Sequence, residues 1–290
     1  MATHGVRAES TERVRGLVID RIFHPSDLTR ASELAFIHAL RLALATRAEL
    51  SLLHVDERGS HSAWGGLPGV RDTLIRWGVL AAGCARDEVA RLGIKVTKTE
   101  FYGSPPVEAI MRHLAERPAD LIVLANHRRQ GLERLTQTEV AAPVSRLSGT
   151  MTLFVPDGVQ GFVSPETGEL QLAQVLIPVD HRPAPQPSLD AARDLAHTLG
   201  IDALHVRLLH IGPDGPFPEV RVAATAGLSV ERELSQGDIV DTILRVARHR
   251  RADLIVLATE GRHGFLDALR GSTAERLVNG APCPVLAVPA

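Results

Sequence analysis

DLIVLANHRRQG, Asp120–Gly131, returns as DLIVLATEGRHG, Asp253–Gly264, and the fold is decided by that repetition. Carried downstream, Asp120–Pro156 aligns with Asp253–Pro289 over 37 residues without a gap, at an offset of 133. Asp120/Asp253, the LIVLA run, Arg129/Arg262, Gly131/Gly264 and the closing Val-Pro are shared. Upstream, VEAIMRHLAERPAD lies over VDTILRVARHRRAD at the same offset. A solenoid repeats every 20 to 50 residues or so. A period this long therefore means two copies of a whole domain, as a chain of 290 residues permits.

The outer parts of the copies correspond more loosely. FHPSDLTRASELAFIHALRLALATRAELSLLHVDE, from Phe23, resembles IPVDHRPAPQPSLDAARDLAHTLGIDALHVRLLHIGPD, from Ile177. Pro25/Pro178, Asp27/Asp180 and His54/His210 are equivalent on this alignment. Leu189, Ala192, Leu195, Ala196 and Leu199 share one helical face. Ala203–Ile211 reads as a strand, and Leu121–Ala125 and Leu254–Ala258 as strands covered on both sides. Strands alternating with helices predict a parallel sheet with helices on both faces.

The first repeat carries an additional helix at about Gly69–Leu92, where the second has only IGPDGPFPEVRVAATAG, too rich in Gly and Pro for one. The expected division is 1–157 for the first domain, 158–173 for a linker and 174–290 for the second domain. PETG within the linker reads as a turn, of a small hairpin. The apolar last strands, MTLFVP and PVLAVP, are expected to meet edge to edge and make an intramolecular pseudo-dimer.

Composition removes several function classes. Net charge is −2, so no basic field points to nucleic acid. Lys95 and Lys98 are the only lysines, and neither lies in a glycine-rich loop, which excludes a P-loop mechanism. Cys84 and Cys283 stand far apart without a Cys-x-x-Cys partner, and Cys283 reads as a buried thiol. The N-terminal segment is polar and lacks a signal peptide's apolar core, and no apolar run is long enough to span a bilayer. The expected location is the cytoplasm, with no membrane partner.

In doubly wound sheets, ligands sit beyond the carboxyl ends of the strands, where strand order reverses. Asp180 and Ile211 end two strands of the second repeat at that edge, and TEGRHGFLDALRGST follows a third. Gly261 and Gly264 permit close backbone approach to a phosphate, while Gly271, Ser272 and Thr273 open a helix with free N–H groups. Arg262 and His263 either touch phosphate or face water. Asp180 accepts from a ribose hydroxyl or an exocyclic amine, or serves only to start a helix. The glycines equally suit a plain turn, and Ser272 or Thr273 a helix cap. In the first repeat Arg128 replaces Gly261, Thr138 replaces Gly271 and Glu139 replaces Ser272, so nucleotide binding there in the same manner is not expected.

IPVD, LLHV/LLHI, DLIVLA, GRHG with GST, and APCPVLAV together resemble a tandem universal stress protein, across nearly the whole chain. The resemblance implies two Rossmann-like domains, ATP bound through Gly-x2-Gly-x9-Gly-Ser/Thr, and dimers formed through the last strand. It implies that Asp180 and Ile211 lie near adenine and ribose, and that Gly261, Gly264, Gly271 and Ser272 form the phosphate loop. Only six residues, FLDALR, separate Gly264 from Gly271 here.

The first reading is thus a cytoplasmic stress-response protein binding ATP or a related adenine nucleotide, with or without Mg2+, mainly in the second repeat. The pseudo-dimer pairs again as a homodimer on this reading, and an unidentified protein is its partner. The alternatives are a nucleotide-independent interaction protein of the same family and a slow ATP hydrolase. No positioned base supports the last. His54 and His210 lack a His-x-His or His-Glu-x-x-His context and read as packed, hydrogen-bonded histidines rather than metal ligands. WGGLPGV, Trp64–Val70, reads as a loop.

Overall fold

A computed structural model describes residues 18–56, 67, 69–85, 87–127, 140–213, 215–222, 225–259 and 273–290. The first repeat runs β1 (Arg21–Ser26), α1 (Arg30–Thr46), β2 (Glu49–Asp56), α2 (Val70–Arg76), α3 (Glu88–Arg91), β3 (Lys95–Tyr102), α4 (Pro106–Glu116), β4 (Leu121–Asn126), α5 (Ala141–Ser148) and β5 (Met151–Pro156). The second runs β6 (Gln174–Val179), α6 (Gln186–Leu199), β7 (Leu204–Ile211), β8 (Leu228–Ser235), α7 (Ile239–His249), β9 (Leu254–Thr259), α8 (Thr273–Gly280) and β10 (Val285–Pro289).

All ten strands form one sheet in the order β3-β2-β1-β4-β5-β10-β9-β6-β7-β8. Each repeat is parallel and shows the same internal order. The repeats meet at β5 and β10, which pair antiparallel through Val285–Phe154, Leu286–Leu153 and Ala287–Thr152. The expected edge-to-edge meeting of MTLFVP and PVLAVP is this seam. An exposed apolar strand edge invites aggregation, and here each repeat covers the other's.

Both faces of the sheet are covered. One core packs α1, α2 and α6 against Leu50, Leu52, Val123, Leu153, Ile177, Val256 and their neighbours. The other packs α4, α5, α7 and α8 against Phe23, Leu53, Ile122, Leu124, Phe154, Ile255 and Val285. This double cover explains why β4 and β9 are runs of apolar residues without alternation, buried almost throughout. The predicted face of α6, Leu189, Ala192, Leu195, Ala196 and Leu199, is buried.

The single helix expected over about Gly69–Leu92 is instead two short ones, α2 and α3. Gly78 and Gly83 between them take left-handed φ values of 71° and 78°, which no α-helix can contain. The turn at PETG closes an antiparallel bridge between Val163 and Leu170, and the Ser164 amide donates to the Glu169 carbonyl at 2.9 Å. This segment is fastened to the first repeat. Arg41 Nε donates to the Gly168 carbonyl at 3.1 Å, and Trp77 Nε1 to that of Pro165 at 3.0 Å.

Candidate functional site

The strand order reverses once in each repeat. After β1 the chain moves outward to β2 and β3, then returns to β4 on β1's other side; β6, β7, β8 and β9 do the same. The crevice at each reversal opens between the carboxyl ends of β1 and β4, and of β6 and β9. Asp27 and His127 follow β1 and β4. Asp180 follows β6, and the connection 260–272 leaves the end of β9 and re-enters as α8 at Thr273.

The two crevices differ in chemistry. Asp27 accepts from three residues. Its Oδ1 accepts from the Thr29 amide at 3.0 Å, the Thr29 hydroxyl at 2.7 Å and the Ser32 hydroxyl at 2.6 Å. Its Oδ2 accepts a hydrogen bond from His127 Nε2 across the reversal point, at 2.5 Å. Burial works against the charge on Asp27, but the hydrogen bonds from His127, Ser32 and Thr29 outweigh it and hold the carboxyl well below the usual range. In the first crevice the equivalent carboxylate is therefore bridged across the reversal point by a side chain of the protein itself.

Asp180 stands at the equivalent place and is exposed. Among the described residues its carboxylate accepts one hydrogen bond, from the His181 amide at 2.7 Å to Oδ1. Ile211 lies one step along the neighbouring strand, since Val179 pairs with His210 in the β6–β7 register. The structure thus brings Asp180 and Ile211 together and places Thr273 at the start of α8. Gly261, Arg262, His263, Gly264, Gly271 and Ser272 lie outside the described residues, as do Arg128, Thr138 and Glu139 and most of WGGLPGV.

His54 and His210 turn out to be twins. His54 Nδ1 bonds the Ser26 carbonyl at 2.8 Å and His210 Nδ1 the Val179 carbonyl at 3.0 Å, each at the end of its repeat's first strand. Both are strand-tying histidines. Among the described residues no group of three or more His, Cys, Asp or Glu is arranged to hold a metal ion. Cys283 is buried, and that burial, with Asp253 nearby, pushes its thiol up.

Sequence reasoning missed two contributors. His127 bridges the first crevice to Asp27, and its only signal was the residue after the repeated strand, His127 in one copy and Glu260 in the other. Asn126 donates to Asn279 Oδ1 at 2.7 Å, joining the last turn of α8 to the end of β4 in the other repeat. No residue pattern along the chain announces that pair.

The model of the universal stress protein family matches residues 19–156 and 214–289. A universal stress protein of Methanocaldococcus jannaschii is 38% identical over 68 residues, which cover 23% of this chain and 40% of its own length. One of Thermus aquaticus is 41% identical over 73 residues, covering 24% of this chain and 53% of its own. The chain thus spans about half, or less, of the curated relatives it matches. A universal stress protein of Archaeoglobus fulgidus has a TM-score of 0.59 at 16% identity, covering 93% of this chain and 96% of that one, a likeness of fold. No helix among the described residues is long and apolar enough to cross a membrane. With matches that take in both repeats of the ten-stranded sheet, this chain belongs to the universal stress protein family.

Proposed function

We propose that this stress protein binds ATP at the carboxyl edge of its second repeat and acts as a cytoplasmic regulator whose conformation or choice of protein partner follows the bound nucleotide. The observation that carries the reading is the contrast between two equivalent aspartates. Asp27 accepts from Thr29, Ser32 and His127, whereas Asp180 accepts only from the His181 amide among the described residues. On this reading Asp180 accepts from the adenine amine or a ribose hydroxyl, with Ile211 beside it. Gly261, Arg262, His263, Gly264, Gly271, Ser272 and Thr273 receive the phosphates, and Mg2+ arrives with them rather than in a protein cage. A ligand of this kind shifts the conformational equilibrium only by its differential affinity for the two states.

The domain division at 1–157, 158–173 and 174–290 belongs to the same proposal: one competent site and one closed one per chain. Calorimetric titration of nucleotide-stripped protein with Mg-ATP tests it. The expected result is saturable binding at one site per chain, abolished by Gly261→Arg, which copies Arg128 of the first repeat. Absence of heat, and of displacement by any adenine nucleotide, would overturn it. The protein is read as a binder rather than an enzyme, so any phosphate release should stay stoichiometric with protein.

A second reading, a nucleotide-independent interaction protein, is favoured by one feature. Six residues rather than nine separate Gly264 from Gly271, about one helical turn less if that stretch is helical.

A further inference from the structure

Where the first repeat inserts α2 and α3, the second sends a crossover from β7 to β8 that brings one aromatic ring, Phe217, against His210. Gln186, at the start of α6, clamps the crossover. Its Oε1 accepts the Arg221 amide at 2.9 Å and its Nε2 donates to the Arg221 carbonyl at 3.2 Å. Val220 is buried and Phe217 packs on the core. Phe217 meets the His210 ring at 5.9 Å between centroids and 71° between planes, with the Arg232 guanidinium 5.4 Å from the Phe217 centroid.

His210 cannot swing away. Its Nδ1 is held by the Val179 carbonyl, and the backbone closes over its Nε2 so tightly that a Cβ on Gly212 would lie 3.1 Å from it. His181 completes the group, at 5.8 Å and 72° from His210. Its ring is exposed and belongs to the residue that directly follows Asp180. The equivalent position in the first repeat is Leu28.

An exposed ring set against His210, which Phe217 backs in turn, and adjoining a carboxylate that accepts one hydrogen bond among the described residues, is an arrangement that takes a flat, amine-bearing heterocycle. The ring supplies a stacking face that tolerates any base, and the carboxylate selects the one that donates. Resting on the nucleotide reading above, we infer that His181 is the base-stacking residue of the site, its imidazole stacking on an aminopurine whose exocyclic amine donates to Asp180. The bland reading, a solvated surface histidine, predicts no effect on ligand affinity when the ring is removed.

The experiment titrates the nucleotide-stripped full chain with ATP and, separately, with inorganic tripolyphosphate, for the unmodified protein, His181→Ala and His181→Phe. The expected result is roughly tenfold weaker ATP binding by His181→Ala, in line with the loss of one base stack. His181→Phe restores it, and tripolyphosphate affinity is the same in all three. Unchanged ATP affinity in His181→Ala, with the unmodified protein binding ATP, overturns the inference and leaves the nucleotide reading standing. Equal weakening toward ATP and tripolyphosphate also overturns it, because His181 would then act on the phosphates. No ATP binding by the unmodified protein removes both.

Discussion

Two histidines illustrate what a single buried residue costs this molecule. His24 lies wholly inside the sheet. Its Nδ1 meets the Val123 carbonyl at 2.9 Å, and its Nε2 has no partner among the described residues. His38 is equally buried, with Nδ1 on the Leu34 carbonyl at 2.8 Å and Nε2 accepting the Phe162 amide at 3.1 Å. Burial lowers both from 6.5 to about 4, so each is neutral in the folded protein near neutral pH. Between pH 6.5 and 4 the unfolded chain binds the protons and the folded one does not. Stability is therefore full above the unfolded value and falls as pH drops through this window, by on the order of 3 kcal/mol for each ring. The second repeat has Ile177 where the first has His24. His24→Ile should reduce the stability lost between pH 7 and pH 4 by about that amount, measured by urea denaturation at both pH values. An unchanged pH dependence would mean that His24 is not the group titrating.

At the level of elements, the opening aspartate of the repeated strand proves to be a fastener. Asp120 Oδ2 accepts the amides of Asp20 and Arg21 at 3.0 and 2.8 Å, just where β1 begins. Asp253 Oδ2 accepts those of Ala173 and Gln174, both at 2.8 Å, where β6 begins. Each carboxylate thus ties the start of its repeat's first strand to the start of the fourth. The sequence alignment showed that Asp120 and Asp253 correspond, but not what they hold. Asp253→Ala breaks two charge-assisted bonds at a partly solvated site, so a loss of about 2 kcal/mol is expected. Asp253→Asn, which keeps an acceptor, should lose less. Equal losses in chemical denaturation would assign the effect to something other than these bonds.

For the whole molecule, the β5–β10 seam decides whether there are two bodies or one. Leu153, Phe154, Thr152, Val285 and Leu286 are all buried along it. Both hydrophobic cores run across the seam and contain residues of the two repeats. The chain is expected to unfold in one transition. Leu286→Asp places an unpaired charge in the seam and should cost at least about 4 kcal/mol or prevent folding. Two separate transitions in the unmodified protein, or a small loss in the variant, would show that the halves are energetically independent.

The sequence by itself determined the duplication, the alternation of strand and helix, the covered strands and the pairing of the two last strands. These are legible because they are local or self-referring: apolar runs, a period along one helix, and one half compared with the other. Only the tertiary structure decided that Asp27 is bridged by His127. It also decided that His181, His210 and Phe217 converge, and that α8 reaches across to Asn126. Asp27 and His127 are 100 residues apart. They meet because strand order reverses between β1 and β4, and that reversal leaves no trace in the spacing of side chains. The aromatic group has the same origin. Losing a helix from one crossover is visible in the chain, but where the replacement segment lies is set by Gln186 and by the core beneath Phe217.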